Sequence, residues 1–256
     1  MQERLNSEAE IIIDDSEVLH ENWENSLVHY NLPSVRYVHD RSELKKSGWF
    51  FKYALLRVAD FFTKIKNRGY MSIARRERVL APVLNLFGVI LCENGYRPVR
   101  MGRNRRFLLS GYFQSEKYFE NVSSELKDIF SLRTDFDYPF LSELENSNSV
   151  CISVKVEHNV GSSLYAVCGK EYWQEAIGEI TKKIENPVFF VCSDNIEYVK
   201  KHLIDCSKYK IIFQDKSESV YKSLAAMSRC KHFIIGNTTY GWWAQYLCNN
   251  PKKIVI

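Results

Sequence analysis

No run of about 18 apolar residues occurs in the 256-residue chain, so its pattern contains no membrane-spanning helix. The opening residues, MQERLNSEAE, lack the charged-then-apolar layout of a secretory leader, and secretion is not expected. The seven cysteines (Cys92, Cys151, Cys168, Cys192, Cys206, Cys230 and Cys248) include no C-x-x-C pair. No His/Cys cluster has zinc-ligand spacing, and no metal is expected. An odd number of scattered cysteines beside apolar residues reads as reduced core thiols of the cytosol. There is no internal repeat and no low-complexity tract. No helix-turn-helix, RRM or zinc motif points to nucleic acid.

What the chain does have is an ordinary soluble composition, 45% hydrophobic and 26% charged in 30.0 kDa. That length suits one large domain or two smaller ones. Its charge is unevenly distributed. Residues 45–106 hold 15 lysines and arginines against three acids, a net +12, so the remainder carries −8 of the total +4. Such a segment suits an anionic partner such as a phosphorylated lipid headgroup, a membrane surface, a nucleotide or a nucleic acid. A solvated basic face is the alternative.

Ile11 to Ile13 before Asp14-Asp15 reads as a strand ending in an acidic turn. The spacing predicts an amphipathic helix over 49–66, with Phe51, Leu55, Val58, Phe62 and Ile65 on the core side. Lys52, Arg57, Lys64 and Lys66 would form its polar face. A strand ends at Gly111, and Ser115 can cap the next helix, which is expected to continue over 121–130. Residues 131–149, with Pro139 and the polar run 146–149, are the best linker. After them strands (150–154, 187–192, 210–213, 233–235, 253–256) alternate with helices (171–184, 196–204, 219–230). In the last of these helices Val220, Leu224 and Met227 face inward. That alternation implies a parallel sheet. The expected domains are 1–140, carrying the basic segment 45–106, and 150–256.

One stretch organises the rest: Lys231 to Gln245, KHFIIGNTTYGWWAQ. A short apolar strand ends at Gly236-Asn237, and Thr238-Thr239 then opens an aromatic helix. The free N–H groups and positive dipole end of such a helix can hold an anion. Equally, the stretch can be a capped core helix with two buried tryptophans.

Three segments in order resemble the bacterial family 11 glycosyltransferases, α-1,2-fucosyltransferases of the GT-B fold. They are Leu109–Phe119 (LSGYFQSEKYF), Pro187–Val199 (PVFFVCSDNIEYV) and Cys230–Leu247 (CKHFIIGNTTYGWWAQYL). The chain departs from the family in lacking its Gly-rich opening loop, as if it began just after that loop and its helix. The family's "HxRRGD" strand end is also altered. Lys155 and Val156 fall in the two arginine slots, with Glu157 and His158 after them. A lysine supplies a point charge, not a bidentate fork.

The resemblance implies an α/β, GT-B-like fold of two Rossmann-like parallel-sheet domains: 1–140, incomplete and on the acceptor side, and 150–256, binding the nucleotide sugar. It implies inverting transfer of fucose from GDP-fucose to a galactoside hydroxyl in surface polysaccharide or O-antigen synthesis. No cofactor is needed beyond the GDP-sugar. The donor would be held by Lys155, Ser193, Asp194, Asn237, Thr238, Thr239 and Trp242, although Ser193-Asp194 can equally be a plain helix cap. Tyr112 and Gln114 would line the acceptor side. Glu157 or His158 would be the base, His suiting that task near neutral pH. The partners would be a nucleotide sugar and a glycan or lipid-linked oligosaccharide, with peripheral membrane contact through 45–106. The site of action would be cytoplasmic, at or near the inner membrane face. The competing readings are an inactive remnant of the fold and a transferase with an altered donor.

Overall fold

The computed structural model describes residues 10–46, 49–64, 70–99, 104, 106–157, 167–205 and 207–256. The chain divides into two units. One comprises Met1–Asn25 with Leu32–Leu126, and the other Ser26–Asn31 with Lys127–Ile256.

In the first unit β1 (Ile11–Asp14) is followed by α1 (Ser16–His20), β2 (Val35–Val38) and α2 (Arg41–Lys46). Then come α3 (Phe50–Lys64), α4 (Tyr70–Leu86), β3 (Val89–Cys92) and β4 (Leu108–Gly111). β1 pairs with β2 and β3 with β4, both in parallel. Helices α3 and α4 pack on one another and on β3. Their shared core joins Ala59 and Leu84 to Val89 and Leu91, with Leu55, Leu56 and Leu80 beside it. The inward face of α3 is therefore Leu55, Ala59 and Thr63, whereas Phe51, Val58 and Phe62, expected inside, are exposed. The helix is apolar around most of its circumference, so periodicity located a helix without deciding which face meets the core. Lys52, expected on the polar side, reaches the carbonyl of Phe87. Ile65 and Lys66 lie outside the described residues.

A short helix α5 (Ser123–Ile129) leads to α6 (Leu141–Asn146) and the second unit's sheet. Its elements are β5 (Asn148–Val154), α7 (Lys170–Thr181), β6 (Pro187–Ser193) and α8 (Ile196–Tyr198), a single turn running into a wider one over Val199–Leu203. Then follow β7 (Lys210–Phe213), α9 (Val220–Ser228), β8 (His232–Ile235) and α10 (Thr239–Leu247). All neighbours are parallel, in the order β7-β6-β5-β8. The last residues run beside β8, with the Phe233 and Ile235 N–H groups donating to the carbonyls of Ile254 and Ile256. The expected α/β class with parallel strands is what the chain adopts in both units.

β5 is buried on both faces, as its near-continuous apolar run requires of a central parallel strand. Val150, Ile152 and Val154 meet Trp173, Ile177 and Ile180 of α7 on one side. Cys151 meets Ala226, Met227 and Ala244 on the other, in a core that also holds Cys192, Cys230 and Cys248. All six described cysteines are free thiols, and burial pushes those of Cys151, Cys230 and Cys248 above their usual range. Residues 131–149, read as a linker, fall inside this unit. Tyr138 and Leu144 plug into its second core, so the segment's polar composition hid two anchors. Val220, expected inward, is exposed at the first turn of α9.

Gly111 ends β4 with φ +131, and a Cβ there would lie 2.2 Å from the Cys92 carbonyl oxygen. Gly95 has φ +71 but open space around it. Gly111→Ala is expected to cost at least about 2 kcal/mol in urea denaturation. Gly95→Ala should cost only the left-handed backbone term, about 1 kcal/mol.

Candidate functional site

The order β7-β6-β5-β8 contains a reversal. From β5 the chain steps outward through β6 to β7, then returns to place β8 on the other side of β5. Ligands of open α/β sheets bind at such a switch point, outside the carboxyl ends of the strands. Here that is the crevice where Val154 runs into Lys155–Glu157 and Ile235 runs into Gly236–Thr238.

Two glycines shape this crevice. A Cβ on Gly236 would lie 3.3 Å from the Trp173 ring, and one on Gly241 only 2.9 Å from Cβ and Oγ of Ser153 in β5. The absent side chains let the first turn of α10 settle against the end of β5. Thr238 is the N-cap, its Oγ1 accepting from the Gly241 N–H at 3.2 Å, and the Trp242 N–H donates to the Thr238 carbonyl. The first-turn N–H groups of Thr239 and Tyr240 have no intrahelical acceptor. The Thr238 hydroxyl still has its own proton to donate, and Asn237 and Thr239 are exposed beside it. The capped-helix reading is thus correct for Thr238, but the tryptophans are not buried. Trp242 and Trp243 are half-exposed, Trp242 stacking on Tyr246 with centroids 4.9 Å apart. Tyr240 donates to the Val220 carbonyl, and burial pushes its phenol far above the usual range.

Across the crevice Lys155 forms an ion pair with Asp194, Nζ to Oδ2 2.8 Å. Asp194 also accepts the backbone N–H groups of Val156 (2.8 Å) and Glu157 (3.1 Å). Burial alone would push its carboxyl up, but the hydrogen bonds from Lys155, Val156 and Glu157 outweigh that and hold it below the usual carboxylate range. Asp194 therefore acts as a latch that fixes the segment after β5, a contact spanning 39 positions that no local pattern announces. Ser193, buried at the end of β6, accepts the Asn195 N–H. The cap of the following turn is Asn195, which accepts from Tyr198, rather than Ser193 or Asp194. Lys216, absent from the sequence reading, donates to the Asp194 carbonyl and adds a second cation at this edge. Glu157 is exposed, while His158 lies outside the described residues.

In the first unit Tyr112 and Gln114 are exposed on the segment after β4. That segment is pinned by the Tyr112 and Phe113 N–H groups on the Cys92 carbonyl. At the ends of β1 and β2 lies a pair that the sequence reading missed. The carboxylate of Asp15, 3% exposed, meets Nδ1 of His39 at 2.8 Å and accepts from Asn25 at 2.7 Å. The imidazole itself is 64% exposed. An open imidazole oriented by a buried carboxylate can accept a proton from a hydroxyl. The available signal was acids and a histidine directly after two adjacent strands. One D-x-D triplet, Asp135-Phe136-Asp137, also occurs, with both acids exposed. Among the described residues no group of three His, Cys, Asp or Glu side chains is placed to hold a metal ion.

Residues 87–256 match the family model described as Glycosyl transferase family 11. Over 160 residues the chain is 28% identical to an alpha-1,2-colitosyltransferase of Escherichia coli, covering 57% of this chain and 53% of that protein. Over 222 residues it is 24% identical to the O-antigen biosynthesis glycosyltransferase WbnK of Escherichia coli, covering 77% and 73%. Over 83 residues it is 34% identical to a galactoside alpha-(1,2)-fucosyltransferase 1 of Saimiri sciureus, covering 32% and 22%. The chain thus spans about half the length of the colitosyltransferase.

Thr238→Ala removes a used cap and is expected to cost about 1 kcal/mol in thermal denaturation, whereas the exposed Thr239→Ala should stay within about 0.5 kcal/mol. The lowered pKa of Asp194 gives its latch full strength above the unfolded value near about pH 4, with loss as pH falls through the folded value. The gap between wild type and Asp194→Asn, read as urea midpoints, should therefore be widest near neutral pH and close under acid.

Proposed function

The chain belongs to glycosyl transferase family 11, and on that premise we propose that it transfers fucose or a closely related sugar from a GDP-sugar to a galactoside hydroxyl, with inversion, in surface polysaccharide or O-antigen assembly on the cytoplasmic side of the membrane. The observation that carries this reading is the N-terminus of α10, seated by Gly236 and Gly241 at the switch point between β5 and β8. Inverting transfer separates a diphosphate from the sugar, and the developing charge needs preorganised donors. Those donors are the Thr238 hydroxyl, the N–H groups of Thr239 and Tyr240, and the side chains of Asn237 and Thr239. Lys155 adds a point charge from the opposite strand end. Trp242, half-exposed in the same helix, offers a ring face to the nucleotide side. In this scheme Ser193 and Asp194 order the loop that carries Lys155 and leave nucleotide contact to the groups around them.

The acceptor hydroxyl must lose a proton. The candidates are Glu157 and His158, which follow β5. Tyr112 and Gln114 are the proposed acceptor-side contacts. Substitution separates the candidates, because Glu157→Gln or His158→Gln at the base should lower kcat by at least about 100-fold while leaving GDP binding in place.

One observation favours a second reading, an inactive remnant. The single cation in the family's arginine region, Lys155, is already paired with Asp194. A ligand present at about 100 times its Kd adds about 2.7 kcal/mol to folding stability. GDP should therefore raise the melting temperature by several degrees, UDP should do so less, and the combined Asn237→Ala and Thr239→Ala variant should lose most of the shift. No shift with either nucleotide would rule out the transferase reading. A GDP shift without transfer from GDP-fucose would favour the remnant or an altered donor.

A further inference from the structure

Helices α3 and α4 precede the family match and carry a surface that the proposed reaction does not use. Four phenylalanines, Phe50, Phe51, Phe61 and Phe62, stand exposed with Val58 along one side of α3. Phe50 and Phe61 are each 61% exposed. In α4 the residues Met71, Val79, Val83 and Leu86 recur at helical spacing on the exposed side, Leu86 at 75%. The two rows join where Phe51 meets Phe87, ring centroids 6.0 Å apart. The opposite faces of both helices are occupied by the packing on β3. A soluble monomer rarely leaves so continuous an apolar face in water, and a contiguous patch of this kind marks a binding surface.

Charge identifies the occupant. Arg57 lies among the α3 phenylalanines, and Arg75 and Arg78 lie between Met71 and Val79 of α4, all three exposed. The only two acids in the helices are turned away from this face. Glu77 is 3% exposed and spends its carboxylate on the Glu93 N–H and the Asn94 amide, and Asp60 is half-buried. The face therefore offers phenyl and aliphatic groups together with guanidinium groups and no exposed carboxylate. An anionic bilayer meets both requirements, since its acyl boundary accepts the rings and its phosphates accept the guanidinium forks. A second copy of the chain would bring two segments of net +12 together. A nucleic acid would satisfy the arginines but leave the phenylalanines without an apolar partner.

We propose that the exposed face of α3 and α4 docks the protein on an anionic phospholipid bilayer, with the phenylalanines inserting at the acyl boundary and Arg57, Arg75 and Arg78 on lipid phosphates. The inference stands apart from the sugar-transfer reading, because its test reads lipid binding. The whole chain would be floated with vesicles of phosphatidylcholine alone and with vesicles containing phosphatidylglycerol. Binding to the anionic vesicles should be at least about tenfold tighter and weaken with salt. The combined Phe50→Ser and Phe61→Ser variant, altered only at exposed positions and checked for folding by circular dichroism, should bind the anionic vesicles about tenfold more weakly. The combined Arg75→Glu and Arg78→Glu variant should lose the preference for anionic lipid. Equal binding to both vesicle types, or binding unchanged by the phenylalanine substitutions, would overturn the proposal. So would a dimer in vesicle-free solution that the phenylalanine substitutions abolish, or a DNA mobility shift with no vesicle binding.

Discussion

The second unit turns on how closely α10 can approach β5. Gly241 sits against Ser153 at a distance where even a methyl group would collide, and Gly236 does nearly the same against Trp173. This proximity seats the helix N-terminus at the strand ends, so that the Thr238 cap and the neighbouring N–H groups border the crevice. A bulkier residue at either glycine would lift the helix and move its donors away from the place where β5 delivers Lys155. The arrangement needs both the strand reversal, which opens the crevice, and the bare backbone, which lets a helix end reach it.

Much of this unit was legible in the sequence because its strands are central and parallel. Buried on both faces, they appear as unbroken apolar runs such as Val188 to Cys192, and the helices between them show the three- and four-residue spacing of Trp173, Ile177 and Ile180. The cap at Thr238 was legible for the same local reason. What escaped was non-local or ambiguous. The Asp194 latch joins two strand ends that are adjacent only once the sheet has formed, and the Asp15–His39 contact likewise depends on β1 lying beside β2. In α3 the apolar residues are too many to choose a face, and the structure selects small Ala59 and Thr63 for the interior while leaving the phenylalanines outside. In 131–149 the polar composition outweighed Tyr138 and Leu144, the two residues that fix the segment.

The crevice carries less positive charge than the resemblance implied. Lys155 stands where a pair of arginines was expected, and its ammonium already faces Asp194. Yet this pairing places the lysine. Without the latch a long flexible side chain and the segment after β5 would sample many positions, with an entropic cost to recover on binding. Lys216, on the far side of Asp194, adds charge to the same edge without a fork of its own. In the proposed scheme neutral donors on α10 would therefore carry more of the binding than they would beside two guanidinium groups.

The distribution of sulfur has a practical consequence. Cys92 is buried in the first unit, and Cys151, Cys192, Cys230 and Cys248 are buried in the second, whereas Cys168 is only half-covered. A thiol held away from water is a poor nucleophile until the core around it opens. Buried sulfur is therefore a set of slow chemical clocks: among the described cysteines Cys168 takes a label first, and the delayed labelling of Cys92, Cys151, Cys192, Cys230 and Cys248 times the opening of the core around each.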